Sequence, residues 1–163
     1  MGQEHVIIIM GSSRDEESTA IIQSTLKKLG IQFELRISSA HKTPQKLLEM
    51  IDEYNSSKDR IVFITVAGRS NALSGFIDAN TRYPVISCPP QSEKFGGADI
   101  YSSLRMPSGV SPLVILEQEN AALAAAKILA LSNSEISEKV RIYQQDAKNR
   151  IESDDEKFRK RIE

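Results

Sequence analysis

Four short runs of apolar, largely β-branched residues recur along the first half of the chain: Val6–Met10, Phe33–Ser38, Ile61–Ala67 and Val85–Cys88. A fifth, Leu113–Leu116, follows Pro112. Three of these runs show no alternation of polar and apolar residues, the pattern of strands covered on both faces of a parallel sheet. Helical periodicity fills the gaps. Asp15–Leu29 carries Ala20, Ile21, Leu26 and Leu29, and Gly30 ends it. Leu47, Leu48, Met50, Ile51 and Tyr54 repeat the pattern in the next segment. Strand and helix therefore alternate. That predicts an α/β three-layer sandwich built on a doubly wound parallel sheet of flavodoxin/Rossmann-like type, with right-handed crossovers.

The C-terminal third departs from this rhythm. Asn120–Leu131 is apolar almost all round and rich in alanine, as expected of a helix covered on most sides by closely approaching neighbours. From Glu135 to Ile151 a second long helix is expected, with Ile136, Val140, Tyr143, Ala147 and Ile151 on one stripe. The sheet does not need that stripe, which points to packing on another subunit. Residues 1–151 read as one domain, and the charged stretch 152–163 as a frayed tail.

Composition removes several classes of function. Twenty-one basic against twenty-two acidic residues give a net charge of -1, no electrostatic footprint for nucleic acid or an anionic membrane. Val6–Met10 is too short for a membrane span or the core of a signal peptide. One cysteine, Cys88, leaves no internal disulfide and no cysteine-built metal cluster, and two histidines, His5 and His41, make a poor zinc site. The expected compartment is the cytoplasm.

In an open parallel sheet, ligands bind beyond the carboxyl ends of the strands. Polar, glycine-containing segments fall at that edge. Gly11-Ser12-Ser13-Arg14-Asp15-Glu16 follows the first run, and the Ser13/Glu16 spacing is that of a capping box with free N–H groups suited to a phosphate. Ser38-Ser39-Ala40-His41-Lys42-Thr43-Pro44 follows the second. Thr43 and Pro44 fit a helix start, which holds His41, a proton carrier near neutral pH, beside the fixed charge of Lys42. Ala67-Gly68-Arg69-Ser70-Asn71 follows the third, with Gly68 free to take positive φ or admit a ligand closely. No Gly-Lys-Ser/Thr follows, and no Gly-x-Gly-x-x-Gly occurs, so ATP and NAD are poorly supported. Cys88-Pro89-Pro90 follows the fourth, and Ser102–Gly109 forms a later loop. Each segment alone has an ordinary alternative: a plain helix cap, a surface histidine, a strand-to-helix turn. Cys88 reads either as a small buried hydrophobe or as a nucleophile paired with His41.

Together these residues resemble one family, the aminoimidazole ribonucleotide carboxylases and mutases of purine synthesis. The family's Gly-Ser-x-Ser-Asp opening stands here as Gly11-Ser12-Ser13-Arg14-Asp15, with Arg14 in place of the second serine. Its Ser-Ala-His-Arg/Lys motif stands as Ser39-Ala40-His41-Lys42. The likeness continues through Ala67–Gly75, Pro84–Pro90 and Gly97–Gly109, and spans roughly residues 5 to 143. Lys42, Arg69-Ser70-Asn71, Cys88-Pro89-Pro90 and Ser102-Ser103-Leu104-Arg105 resemble the class that uses CO2 directly. The sister mutases carry a His-Leu-Pro-Gly segment where this chain has Ala72-Leu73-Ser74-Gly75.

The resemblance implies reversible carboxylation of 5-aminoimidazole ribonucleotide with CO2 to the 4-carboxylated ribonucleotide, without ATP, biotin or metal. It implies His41 as general acid/base and Ser12, Asp15, Ser39, Lys42, Gly68 and Ser70 as nucleotide-binding residues. Ala40, Asn71, Met106 and Pro107 would border the ring and CO2. It also implies a homo-oligomer, a tetramer or octamer. The alternatives are the sister mutase, a non-catalytic nucleotide-sensing module, and a Cys–His hydrolase.

Overall fold

A computed structural model describes residues 2–91 and 94–161. Five parallel strands form one sheet in the order β2-β1-β3-β4-β5: β1 Glu4–Met10, β2 Gln32–Ile37, β3 Arg60–Val66, β4 Val85–Ser87 and β5 Leu113–Val114. Each strand lies within a residue or two of an expected run. The six helices are α1 Ala20–Lys28, α2 Pro44–Asn55, α3 Leu73–Asp78, α4 Tyr101–Leu104, α5 Gln118–Ala130 and α6 Ser134–Arg159. This is the doubly wound three-layer arrangement, and its strand order reverses between β1 and β3.

Strand periodicity sorts the core onto two faces. Val6, Ile8 and Met10 of β1 with Val62, Ile64 and Val66 of β3 pack against α1, α5 and α6. Their neighbours Ile7, Ile9, Ile61 and Phe63 point the other way, onto Leu47, Met50 and Ile51 of α2 and Leu73 and Ile77 of α3. β1 and β3 are therefore buried on both sides, which is why they lack alternation. Each fully buried aliphatic side chain contributes about 1.5–3 kcal/mol relative to exposure.

Two boundaries and the partner of one apolar stripe differ from the sequence reading, each for a local reason. The first helix starts at Ala20; before it lie two 3₁₀ turns, Ser13–Asp15 and Glu17–Thr19. Short polar side chains hold that geometry: Asp15 Oδ2 accepts from the Ser12 N–H at 3.0 Å, and Thr19 Oγ1 donates to the Glu16 carbonyl at 2.7 Å. α5 is covered inside this chain by α1, α6 and β3, with Ala121, Ala122, Ala125 and Ala126 fully buried between them. The first half of the stripe on α6 provides that cover, because Ile136 and Val140 are buried and Tyr143 is half-buried. α6 then continues past Ile151 to Arg159, through the stretch expected to fray. No glycine or proline interrupts it, and ion pairs such as Lys157–Asp154 at 3.3 Å lie along its exposed face. Residues 162–163 of that stretch lie outside the described residues.

Candidate active site

The site forms where the strand order reverses. The Gly11 N–H donates to the Val66 carbonyl at 3.0 Å, joining the carboxyl ends of β1 and β3. A cavity of about 640 Å³ opens there. It is lined by Gly11–Asp15 after β1, Ser39–Lys42 after β2, Ala67–Ser70 after β3, and Ala72, Leu73, Pro90 and Gln91. Ser12, Asp15, Ser39, Ala40, His41, Lys42, Gly68 and Ser70, spread across three loops in sequence, thus share one wall-to-wall crevice.

Each loop is fixed by its own hydrogen bonds. In the first, Asp15 reaches back to Ser12, accepting from the backbone N–H at 3.0 Å and from Oγ at 3.1 Å, both through Oδ2. The capping partnership is therefore Ser12–Asp15, one residue earlier than the Ser13/Glu16 pair expected from spacing. In the second, Thr43 occupies the cap position of α2 but turns its hydroxyl into the loop. Thr43 Oγ1 lies 3.1 Å from Ser38 Oγ, accepts from the Ser39 N–H at 3.0 Å and donates to the Ser39 carbonyl at 3.2 Å. The N–H groups of Lys42 and Thr43 also donate to the Ser39 carbonyl, at 3.2 and 2.8 Å. Ser39–Thr43 is thereby a closed turn that presents His41 and Lys42 outward, both exposed.

In the third loop the left-handed residue is Arg69, at φ 61°, and Gly68 does not take positive φ. A Cβ built on Gly68 would meet only Pro90, at 3.8 Å and beyond, so protein packing does not require glycine there. The open space above Gly68 belongs to the crevice.

Arg14, Lys42 and Arg69 bring three permanent cations to the lining, against a single carboxylate, Asp15. None of the four is in an ion pair among the described residues. A crevice with that charge excess and several loop N–H groups is suited to an anion such as a phosphate. No group of three or more His, Cys, Asp or Glu side chains among the described residues is placed to hold a metal ion.

Three expected pocket residues lie elsewhere or do other work. Asn71 is only 4% exposed and its amide is hydrogen-bonded within the protein; it borders the adjoining cavity rather than this one. Met106 packs against α3: its Sδ lies 2.9 Å from where a Cβ on Gly75 would be, so glycine there makes room for the thioether. Neither Met106 nor Pro107 lines the crevice within this chain. Cys88 is buried at 1% exposure beside the Leu116 carbonyl, 3.7 Å from Sγ. Burial, with a smaller push from Glu117, raises its thiol to about 12, so no thiolate nucleophile is available near neutral pH.

A second cavity, of about 670 Å³, adjoins the first and shares Ala67, Gly68, Arg69, Pro90 and Gln91 with it. Its far side is closed by Asn71, Gly97, Asp99, Ile100, Ser103 and Leu116. The sequence places Pro90 at this edge, in Cys88-Pro89-Pro90, but not Gln91 beside it, and the Pro-Pro pair just after β4 is the signal that carries both there.

Fold and crevice define an α/β protein with a cation-rich, histidine-bearing crevice at the switch point of a doubly wound sheet. The AIR carboxylase family model matches residues 5–150. A phosphoribosylaminoimidazole carboxylase of Archaeoglobus fulgidus is 57% identical over 153 residues, covering 94% of this chain and 84% of that protein. One from Treponema denticola is 49% identical, covering 95% and 98%. The crystal structure of Treponema denticola PurE superposes with a TM-score of 0.93 at 49% identity, covering 95% of this chain and 98% of that one. The human bifunctional phosphoribosylaminoimidazole carboxylase/succinocarboxamide synthetase is 42% identical over 139 residues, and this chain spans 33% of its length. The chain belongs to the AIR carboxylase family.

Proposed function

We propose that this chain is a phosphoribosylaminoimidazole carboxylase of purine biosynthesis, joining CO2 reversibly to the ring carbon of 5-aminoimidazole ribonucleotide. The observation that carries the reading is the crevice itself, where His41, three unpaired cations and the ends of β1, β2 and β3 converge. The substrate ring is electron-rich and enamine-like, so its carbon attacks CO2 and forms the new C–C bond. The proton on that carbon must then leave to restore aromaticity. His41 takes it and, being exposed, passes it to solvent. In the reverse direction the same imidazole returns the proton and CO2 departs. Lys42, Arg14 and the loop N–H groups receive the phosphate, Asp15 the ribose hydroxyls, and Ser12, Ser39 and Ser70 orient the nucleotide. The protein's contribution is orientation and proton removal, with no call on ATP, biotin or metal.

Two further elements of the reading are the cytoplasm as compartment and a homo-oligomer as working form. No helix among the described residues is long and apolar enough to cross a membrane. The test is a carboxylation assay on purified protein with bicarbonate and aminoimidazole ribonucleotide, without ATP. The carbamate substrate of the sister mutases runs in parallel. Turnover with CO2, unchanged by ATP, biotin, divalent metal or chelator, is expected. Turnover of the carbamate alone, or binding with no turnover, would replace the carboxylase by the mutase or by a nucleotide sensor.

A further inference from the structure

Arg69 is the one non-glycine residue with positive φ among those described, and it sits in the loop that both cavities share. Left-handed backbone at a non-glycine residue persists only where its surroundings over-determine it. Two side chains do so here. Ser102, at the start of α4, accepts from the Asn71 N–H at 2.9 Å. Its own hydroxyl proton is shared between the carbonyls of Asp99, at 2.7 Å, and Arg69, at 3.1 Å. One hydroxyl thus bridges the loop after β3 to the turn Lys94–Ile100.

Asn71 anchors the other side. Its Oδ1 accepts from the N–H groups of Leu73, at 3.1 Å, and Ser74, at 3.3 Å, which start α3. That fixes the amide orientation, because a flipped amide would aim N–H at N–H. Nδ2 then faces three buried hydroxyls: Ser87 and Ser103 at 2.9 Å and Ser74 at 3.2 Å. An amide nitrogen has two hydrogens for these three oxygens, so the serines must rotate cooperatively around it. Asn71, Ser74, Ser87 and Ser103 are buried, Ser102 is half-buried and only Arg69 is exposed, and no buried side-chain polar atom among the described residues lacks a partner. The network ties β4, α3, α4 and the Arg69 loop together, yet Ser102 lines neither cavity.

We propose that Ser102, acting through Asn71 and the Arg69 carbonyl, is a positioning residue for the carboxylation, a latch that sets the backbone of Gly68–Ser70 against substrate. The inference rests on the carboxylase reading and adds to it a residue that does not itself line the crevice. If the latch is released, the Arg69 backbone relaxes from its left-handed state and carries Gly68 and Ser70 with it. Misplacement of about an ångström at a reacting centre costs up to roughly a hundredfold in rate.

Ser102→Ala and Ser102→Thr, compared with wild type, test it by kcat, KM, thermal midpoint and assembly mass. Ser102→Ala should lose roughly ten- to a hundredfold in kcat/KM while keeping its mass and folding cooperatively. Ser102→Thr, which restores the hydroxyl, should recover most of that loss. A folded Ser102→Ala enzyme within about twofold of wild type overturns the proposal, as does a loss that threonine fails to repair. Hydrogen exchange on the wild-type protein is the second measurement, independent of any variant's folding and of the reaction. The latch requires a protected Asn71 amide in the free protein, and exchange at the rate of an open loop overturns it. If wild type itself shows no carboxylation, the functional reading fails, and the exchange result still decides whether the latch exists.

Discussion

His41 stands on a turn closed by Thr43 and Ser39 and reaches the crevice from the edge-strand side, exposed to water. An imidazole in that position can exchange its proton with solvent between turnovers, as a base that deprotonates a ring carbon must. Replacing it with Asn keeps a similar volume and hydrogen-bonding edge but removes the nitrogen that accepts the proton. His41→Asn should therefore bind the ribonucleotide nearly as well as wild type while losing on the order of a hundred- to ten-thousandfold in kcat. Retention of activity within about threefold would remove His41 from the chemistry. Cys88 has the opposite character. Its thiol is raised to about 12 by burial and is enclosed, so it should resist iodoacetamide at pH 8 in the folded protein. Cys88→Ser should keep most of the activity, its hydroxyl finding the Leu116 carbonyl that now lies 3.7 Å from Sγ. Rapid inactivation by alkylation would restore the nucleophile.

Among the elements, the strands were legible in the sequence because both faces of β1 and β3 are buried, leaving continuous runs with no competing period. So was the edge on which the site loops lie, because loops after the strands of a parallel α/β sheet gather at the strands' carboxyl ends; the order β2-β1-β3-β4-β5 is not contained in the alternation. Nor could the choices made between neighbouring polar groups be read. Ser12 rather than Ser13 partners an acid, Thr43 faces its loop rather than its helix, and Arg69 rather than Gly68 takes the left-handed conformation. Each is decided by contacts from another segment, which one chain read linearly does not contain. Asn71 illustrates the same point: as a strand-end polar residue it reads as a ligand contact, and four partners distant in sequence or hidden in the fold make it an internal strut. A cap of the ordinary kind starts α6, where Asn133 Oδ1 accepts from the N–H groups of Glu135 at 3.0 Å and Ile136 at 3.1 Å. Asn133→Ala should cost about 1 kcal/mol. That lowers the thermal midpoint by roughly 2–4 °C in a domain of this size. kcat should not change, and a calorimetric scan with a parallel assay checks both halves of this expectation.

At the scale of the whole molecule, the second half of α6 lacks a partner among the described residues of this chain. Val140 is the last buried residue on it, and from there to Arg159 the helix runs roughly 28 Å at 1.5 Å per residue. Ile142, Ile151 and Phe158 are exposed along it, the last two at 70% and 63%, and Leu131 at the α5–α6 junction at 89%. Helices that make no tertiary contacts are marginal in water at this length, and exposed aliphatic and aromatic side chains on one are a solubility liability. A second copy of the chain packed on this half would remove both problems, in keeping with the homo-oligomer proposed above. α5 offers no comparable face, because α1, α6 and the sheet cover most of it within this chain. The packing of α5 on the first half of α6 also chooses the experiment. Deleting everything from Glu135 would strip Ile136 and Val140 from the core and confuse unfolding with disassembly. Ending the chain after Gln145 spares both and removes only the unpartnered half. Light scattering coupled to size exclusion should show the full chain as a tetramer or octamer and the shortened chain as smaller assemblies. Its activity should fall although His41 and every crevice residue remain. The same mass and turnover in both chains would mean that the exposed half of α6 takes no part in assembly, and that copies meet through some other face or not at all.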